Sequence, residues 1–201
     1  MSWIETIPFS EAAGRLRQLY ERVKGPDGKV DNILKLHALR PHTLEGHMKL
    51  YKNVLHHSGN TLPKWFLETL GVYVSQLNAC EYCVQHHFAG LRRLLDDDAR
   101  AEAIWEAIEQ DRFEGVFDAR ERSALAYARA LTQHPPHSSE TLIREMRARG
   151  YGDGEILEIN QVTAYFAYAN RTVTGLGATT EGDTLGLSPG DEDDPDNWTH
   201  G

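Results

Sequence analysis

At 201 residues, 40% of them hydrophobic, the chain carries enough apolar surface for one sizeable core and little to spare for a second domain. Its 21 Lys and Arg against 30 Asp and Glu give a net charge of -9, which repels a phosphate backbone, so nucleic acid is not expected as a partner. Residues 1–20 hold no basic patch followed by an apolar stretch, and no apolar run reaches bilayer length. A cytoplasmic protein without a membrane partner is expected.

In chain order the hydrophobic pattern is helical almost throughout. Ser10 is placed to cap a first helix running to about Val23, with Leu16, Leu19, Tyr20 and Val23 at helical spacing before Gly25-Pro26-Asp27-Gly28 breaks it. The same logic predicts helices near 32–39, 42–57, 62–77, 80–95, 97–110, 118–133, 139–149 and 153–173. Acidic residues at 96–98 suit a helix start, Pro135-Pro136 ends a helix, and no stretch reads as a strand. The fold class is therefore all-α, one domain of eight or nine helices over residues 1–177.

Residues 178–201 differ in composition. They hold seven acidic residues, Glu181, Asp183, Asp191, Glu192, Asp193, Asp194 and Asp196, with no Lys or Arg, and so carry -7 of the total charge. This acidic C-terminal extension is expected to lie along its own body or a neighbouring subunit, with Leu185, Leu187 and Trp198 as apolar anchors, or to be a solvated tail.

The two cysteines, Cys80 and Cys83, are the only ones in the chain. They close too small a loop to staple a secreted fold, so the Cys-x-x-Cys pair reads as redox chemistry or as part of a metal site. The helix begun by Leu62-Pro63-Lys64 carries Glu68 and ends near Asn78, and a second helix starts around Cys80. On that second helix Cys80, Cys83 and His87 fall within about 60° of one another. Cysteines at i and i+3 have Cα atoms roughly 5–5.5 Å apart, a span that a disulfide tolerates. His87, four residues past Cys83, can exchange a proton with its thiol, which favours Cys83 as nucleophile. The helix N-terminus favours a thiolate at Cys80 instead. Position alone leaves both open; the preferred order has Cys83 attack and Cys80 resolve, since a low-pKa Cys80 also leaves readily when the disulfide is reduced.

The pattern Glu68, eleven residues, Cys80-Glu81-Tyr82-Cys83, three residues, His87 resembles the signature of the AhpD-like alkylhydroperoxidase group within the carboxymuconolactone decarboxylase superfamily. Trp3-Ile4 to Pro8 and Asn170-Arg171 to Gly175-Leu176-Gly177 resemble its peroxidase-related branch, and the resemblance spans about residues 1–177. Tyr82 stands where some members carry a histidine. The resemblance implies a homo-oligomer in which Cys83 attacks a hydroperoxide, Cys80 resolves, Glu68 and His87 move protons, and an external dithiol restores the thiols. No cofactor is implied.

Two other function classes use the same residues differently. Cys80, Cys83, His87 and Glu68 are all competent zinc ligands, though three on one helix make tetrahedral geometry awkward. A lyase or isomerase of the decarboxylase type would not need the cysteines. Among the other polar and aromatic residues, His86 faces about 100° away from His87 and reads as packing or surface. His56-His57 and His134 to His137 read as helix-end or loop residues, and Tyr73, Tyr82, Tyr165, Phe166 and Tyr168 as core or subunit contact.

Overall fold

A computed structural model describes residues 2–135, 140–190, 194 and 196–200. Pro136 and His137, and the acidic residues Asp191, Glu192 and Asp193, lie outside the described residues. Nine α-helices follow one another among those described: α1 (Gly14–Val23), α2 (Asn32–Lys35), α3 (Pro41–Leu55), α4 (Lys64–Leu77), α5 (Glu81–Leu95), α6 (Asp98–Gln110), α7 (Ala119–Gln133), α8 (Glu140–Ala148) and α9 (Asp153–Leu176). Among the described residues no strand forms, and the one isolated β-bridge pairs Pro189 with His200.

The start of α1 departs from the predicted cap. Instead of Ser10 capping, the chain makes a 3-10 turn over Phe9–Glu11 and enters α1 through an extended Ala13. Tertiary contacts outweigh the local cap here: the Tyr20 hydroxyl donates to the Ile7 carbonyl at 3.1 Å, and the Phe9 and Tyr20 rings stack 6.3 Å apart. Elsewhere local chemistry sets the ends. Asp97 accepts from the Arg100 N–H at the start of α6, and Asp118 with Glu121 forms a capping box on α7.

Helix α4 is the axis of the bundle. Its ten consecutive residues Phe66 to Ser75 are all buried, as befits a helix surrounded on every side. It packs against α5, α9, α7 and α6. Gly71 is required at its crossing with α9, because a Cβ there would lie 2.2 Å from the Phe166 ring. The missing side chain lets that ring lie flush on α4, where its neighbours in α5 can reach it.

The extension runs back along its own body, one of the three expected placements. Asn32 donates its side-chain amide to the carbonyls of Thr179 and Glu181, the Thr180 hydroxyl donates to Gln85, and Thr184 donates to Asp27. Trp198 is buried to 1% exposure with the Arg22 guanidinium 3.7 Å above its ring, a cation–π contact. Leu187 is half-buried, whereas Leu185, the third expected anchor, is exposed.

Candidate active site

The turn from α4 into α5 places the first cysteine. Ala79 adopts a left-handed conformation (φ 51), the Cys80 N–H bonds the Ser75 carbonyl at 2.9 Å, and the Ala79 N–H bonds the Gln76 carbonyl at 3.0 Å. This is a Schellman-type ending, built with a non-glycine residue at its left-handed position. The chain reverses so sharply that Cys80 is both the second residue past α4's last turn and the N-cap of α5. Cys83 follows within the first turn, and the pair sits 3.2 Å apart with both thiols free and buried.

The two sulfurs do not share a proton evenly. The Cys80 thiol is pulled down to about 6, first by the hydrogen bond it accepts from the Cys83 thiol, against the opposing effect of burial, and then by the Cys83 backbone N–H and the side chains of Thr174 and Asn170. The Cys83 thiol is pushed well above the ordinary value by that same hydrogen bond, by burial and by the charge on Cys80. The resting thiolate therefore belongs to Cys80, at the positive end of α5, and the proton to Cys83. Asn170 on α9 braces the arrangement: its amide donates to the Ser75 hydroxyl at 3.0 Å and accepts from Asn78 at 2.9 Å.

Glu68 projects from the buried face of α4 toward α5, only 3% exposed. Burial raises its carboxyl, yet the charge and hydrogen bond of His87, with the charge of His56, outweigh this and hold it below the usual range. Its Oε2 lies 2.7 Å from His87 Nδ1, and its Oε1 lies 4.0 Å from His56 Nε2. A carboxylate only accepts, so His87 donates through Nδ1 and, when neutral, keeps Nε2 as its proton acceptor. The Phe166 ring meets the His87 ring edge-on at 4.6 Å and fixes its plane.

Cys83, Glu68 and His87 open onto one cavity of about 50 Å³, and Cys80 lies behind it. Ile33, Leu34, Tyr51 and Tyr165 form apolar and aromatic walls. Burial pushes the Tyr51 and Tyr165 phenols well up and holds the His47 imidazole at about 3 and the His200 imidazole at about 4. These four groups are uncharged at neutral pH. Asp31, at the cavity edge, is raised to about 6 by burial.

All four residues singled out by spacing thus meet, but they divide into a cavity trio and a hidden thiol. His56 was read as a helix-end residue; it does cap α3, and it is also fully buried beside Glu68. His86 packs as one reading had it, against the cavity, stacked 4.5 Å from Tyr82. Tyr82 packs in a buried cluster with Cys80 and Cys83, but its hydroxyl is engaged elsewhere: it donates to Asp183 at 2.7 Å and accepts from the Ile33 N–H at 3.1 Å. No sequence spacing marked His47, His56 or His200 as neighbours of the site, since the first two reach it from α3 and its end and the third from the end of the extension, all far in sequence from Cys83 and His87. Among the described residues, no three His, Cys, Asp or Glu side chains converge as metal ligands do.

No family model and no curated protein matches the chain. Solved structures do. The alkylhydroperoxidase AhpD core of an uncharacterized peroxidase-related protein from Ralstonia eutropha JMP134 aligns with a TM-score of 0.77 at 23% identity, covering 89% of this chain and 92% of that one. An uncharacterized peroxidase-related protein from Silicibacter sp. TM1040 aligns at 0.74 and 26% identity, covering 89% and 91%. The debrominase Bmp8 aligns at 0.71 and 21% identity, covering 88% and 91%. The chain has the AhpD-like fold, as its sequence pattern led us to expect.

Proposed function

We propose that this AhpD-like chain is a thiol-dependent hydroperoxidase with Cys83 as the attacking thiol, Cys80 as the resolving thiol and His87, held by Glu68, as the proton carrier. One observation carries the assignment: Cys83 lines a cavity with the His87–Glu68 pair, while Cys80, 3.2 Å from Cys83, is not part of that lining.

His87 takes the Cys83 proton through Nε2, and the Glu68 carboxylate stabilises the imidazolium. The Cys83 thiolate attacks the terminal oxygen of the hydroperoxide; the S–O bond forms, the O–O bond breaks, and the leaving alkoxide takes the proton back from His87 as an alcohol. Cys83 is now a sulfenic acid. The Cys80 thiolate attacks its sulfur, the S–S bond forms, and hydroxide leaves as water with a proton from solvent. An external dithiol then reduces the disulfide, with the low-pKa Cys80 as the better leaving group. Glu68 is the orienting group in this scheme and His87 the base, because the carboxylate's oxygens are directed at His87 and His56.

Peroxide consumption in the presence of a panel of dithiols tests the reading, and no turnover with any of them would sink it. The fold also serves a debrominase, so release of bromide from a brominated pyrrole is measured alongside. Bromide release without peroxide turnover would move the site to that chemistry. The proposal includes a homo-oligomer, favoured by the exposed side chains of Trp3 (79%) and Leu157 (59%), and light scattering that finds only monomer would count against it.

A further inference from the structure

We propose that the C-terminal extension is the specificity wall of the cysteine cavity and restricts it to small, uncharged hydroperoxides, a substrate assignment that rests on the peroxidase reading above.

Four residues of the extension, Gly186, Leu187, Ser188 and His200, line the cavity together with Cys83 and His87. Their approach depends on bare backbone. Gly186 has φ +80, and a Cβ there would lie 2.9 Å from the Ala89 carbonyl carbon and the Gly90 nitrogen on α5. Gly90 presents no side chain in return, and Arg93 donates to the Gly186 carbonyl. The extension is thus laid directly on the helix that carries Cys83 and His87, within a turn of the histidine.

Pins hold it on both sides of this contact. Before it, the Asp183 carboxylate accepts from the Tyr82 hydroxyl at 2.7 Å, the Asn32 N–H at 3.0 Å and His86 Nε2 at 3.3 Å. After it, the fully buried Lys52 ammonium donates to the Gly190 carbonyl, and Trp198 is buried under Arg22. The Pro189–His200 bridge folds the end of the chain back onto the same wall. Tyr82 therefore lines the cavity and, through its hydroxyl on Asp183, also positions the extension.

The space that remains is the argument for substrate class. A cavity of about 50 Å³ holds roughly four water-sized centres. That suits hydrogen peroxide or a short alkyl hydroperoxide and leaves no room for an aromatic ring or a lipid chain. The two imidazoles that could meet an anion are already taken, His87 Nδ1 by the Glu68 carboxylate and His86 Nε2 by Asp183; Leu187, Ile33, Leu34 and the neutral imidazoles of His47 and His200 add no cation, and the anions of Glu68 and Asp31 repel a carboxylate.

Two full-length variants test the wall. Gly186→Ala pushes the extension off α5, and Leu187→Ala trims the wall itself. With dithiothreitol as reductant, the ratio of kcat/KM for hydrogen peroxide over cumene hydroperoxide should fall about tenfold or more in each variant that folds. A second readout is independent of turnover: the rate of Cys83 alkylation by a small iodoacetamide relative to a bulky fluorescein maleimide, followed by mass spectrometry. Both reagents meet the same thiol, so its ionisation cancels in the ratio, and the wild-type preference for the small reagent should drop about tenfold in the variants. Loss of helicity in one variant leaves the decision to the other. An unchanged alkylation ratio in a folded variant overturns the wall. If the wild-type protein consumes neither peroxide, the substrate assignment falls with the parent reading, and the alkylation ratio still decides whether the extension filters by size.

Discussion

The uneven sharing of one proton between the two sulfurs can be tested by removing its main cause. In Cys83→Ala the Cys80 sulfur loses the thiol hydrogen bond, which is the largest influence holding it at about 6, and keeps the Cys83-position backbone N–H, Thr174 and Asn170. If at least half of the drop from the ordinary 9.0 returns, the midpoint moves to about 7.5 or higher. At pH 7 the ionised fraction then falls from about nine-tenths to about a quarter. Nucleophilicity rises with pKa, by about fivefold over 1.5 units at a Brønsted slope near 0.45, and so offsets the smaller fraction. A reaction rate measured at pH 7 would barely change.

The midpoint itself must therefore be read. Thiolate ultraviolet absorbance against pH suits this chain, because Cys80 is then its only cysteine. In the wild type the step should appear near pH 6, present above it and lost as pH falls through it, since a depressed acid is charged above its folded-state pKa. In Cys83→Ala the step should move alkaline. A midpoint still near 6 in the variant would refute the reasoning and assign the shift to the helix end and the α9 side chains.

Three further outcomes follow from the same geometry. Cys83→Ser should abolish peroxide consumption, whereas Cys80→Ser should permit one turnover and stop at a sulfenic acid that a dimedone-type probe traps; the reverse pattern would exchange the two roles. Glu68→Gln and His87→Ala should each slow Cys83 oxidation about 100-fold in rapid mixing at neutral pH, with the deficit shrinking only above the ordinary thiol range, because Cys83 is itself pushed beyond it. Equal rates in variant and wild type would remove the pair from the mechanism. Gly71→Ala should cost about 1–3 kcal/mol in urea denaturation, because its Cβ would meet the Phe166 ring at 2.2 Å, and should also lower activity by tilting the ring that holds His87; a variant as stable as wild type would mean that α4 and α9 separate freely.

Much of this site was legible in the sequence because its key contacts are short-range. Cys83 and His87 lie one turn apart on α5, Cys80 caps that helix, and Glu68 sits on the helix just before it, so period and punctuation sufficed to bring them together. Contacts that cross the bundle had no such signature. His56 reaches Glu68 from the end of α3, Asn170 reaches the sulfurs from α9, and Gly186 reaches α5 from beyond the last helix. Ser10 illustrates the opposite failure: a sound local cap signal gave way to the packing of Phe9 on Tyr20. Leu185 and Trp198 looked alike as apolar anchors in an acidic extension, but only Trp198 meets a cation that can cover its ring.

The separation of charge from access explains why two cysteines so close together need not do the same work. A thiolate facing the cavity would be open at all times to any electrophile that entered. Here the cavity side holds Cys83 protonated, and the permanent thiolate is withdrawn behind it against Asn170 and Thr174. Cys83 becomes nucleophilic only when His87 accepts its proton, and His87 is held ready for that by a carboxylate 2.7 Å away. The sulfenic acid that results forms 3.2 Å from a thiolate already charged. The attacking sulfur needs no deprotonation first, so disulfide formation is placed to outrun a second encounter with peroxide. The same hydrogen bond that lowers Cys80 and raises Cys83 therefore sets the order of events, which is why its removal in Cys83→Ala and the trapping of the sulfenic acid in Cys80→Ser interrogate one arrangement from its two ends.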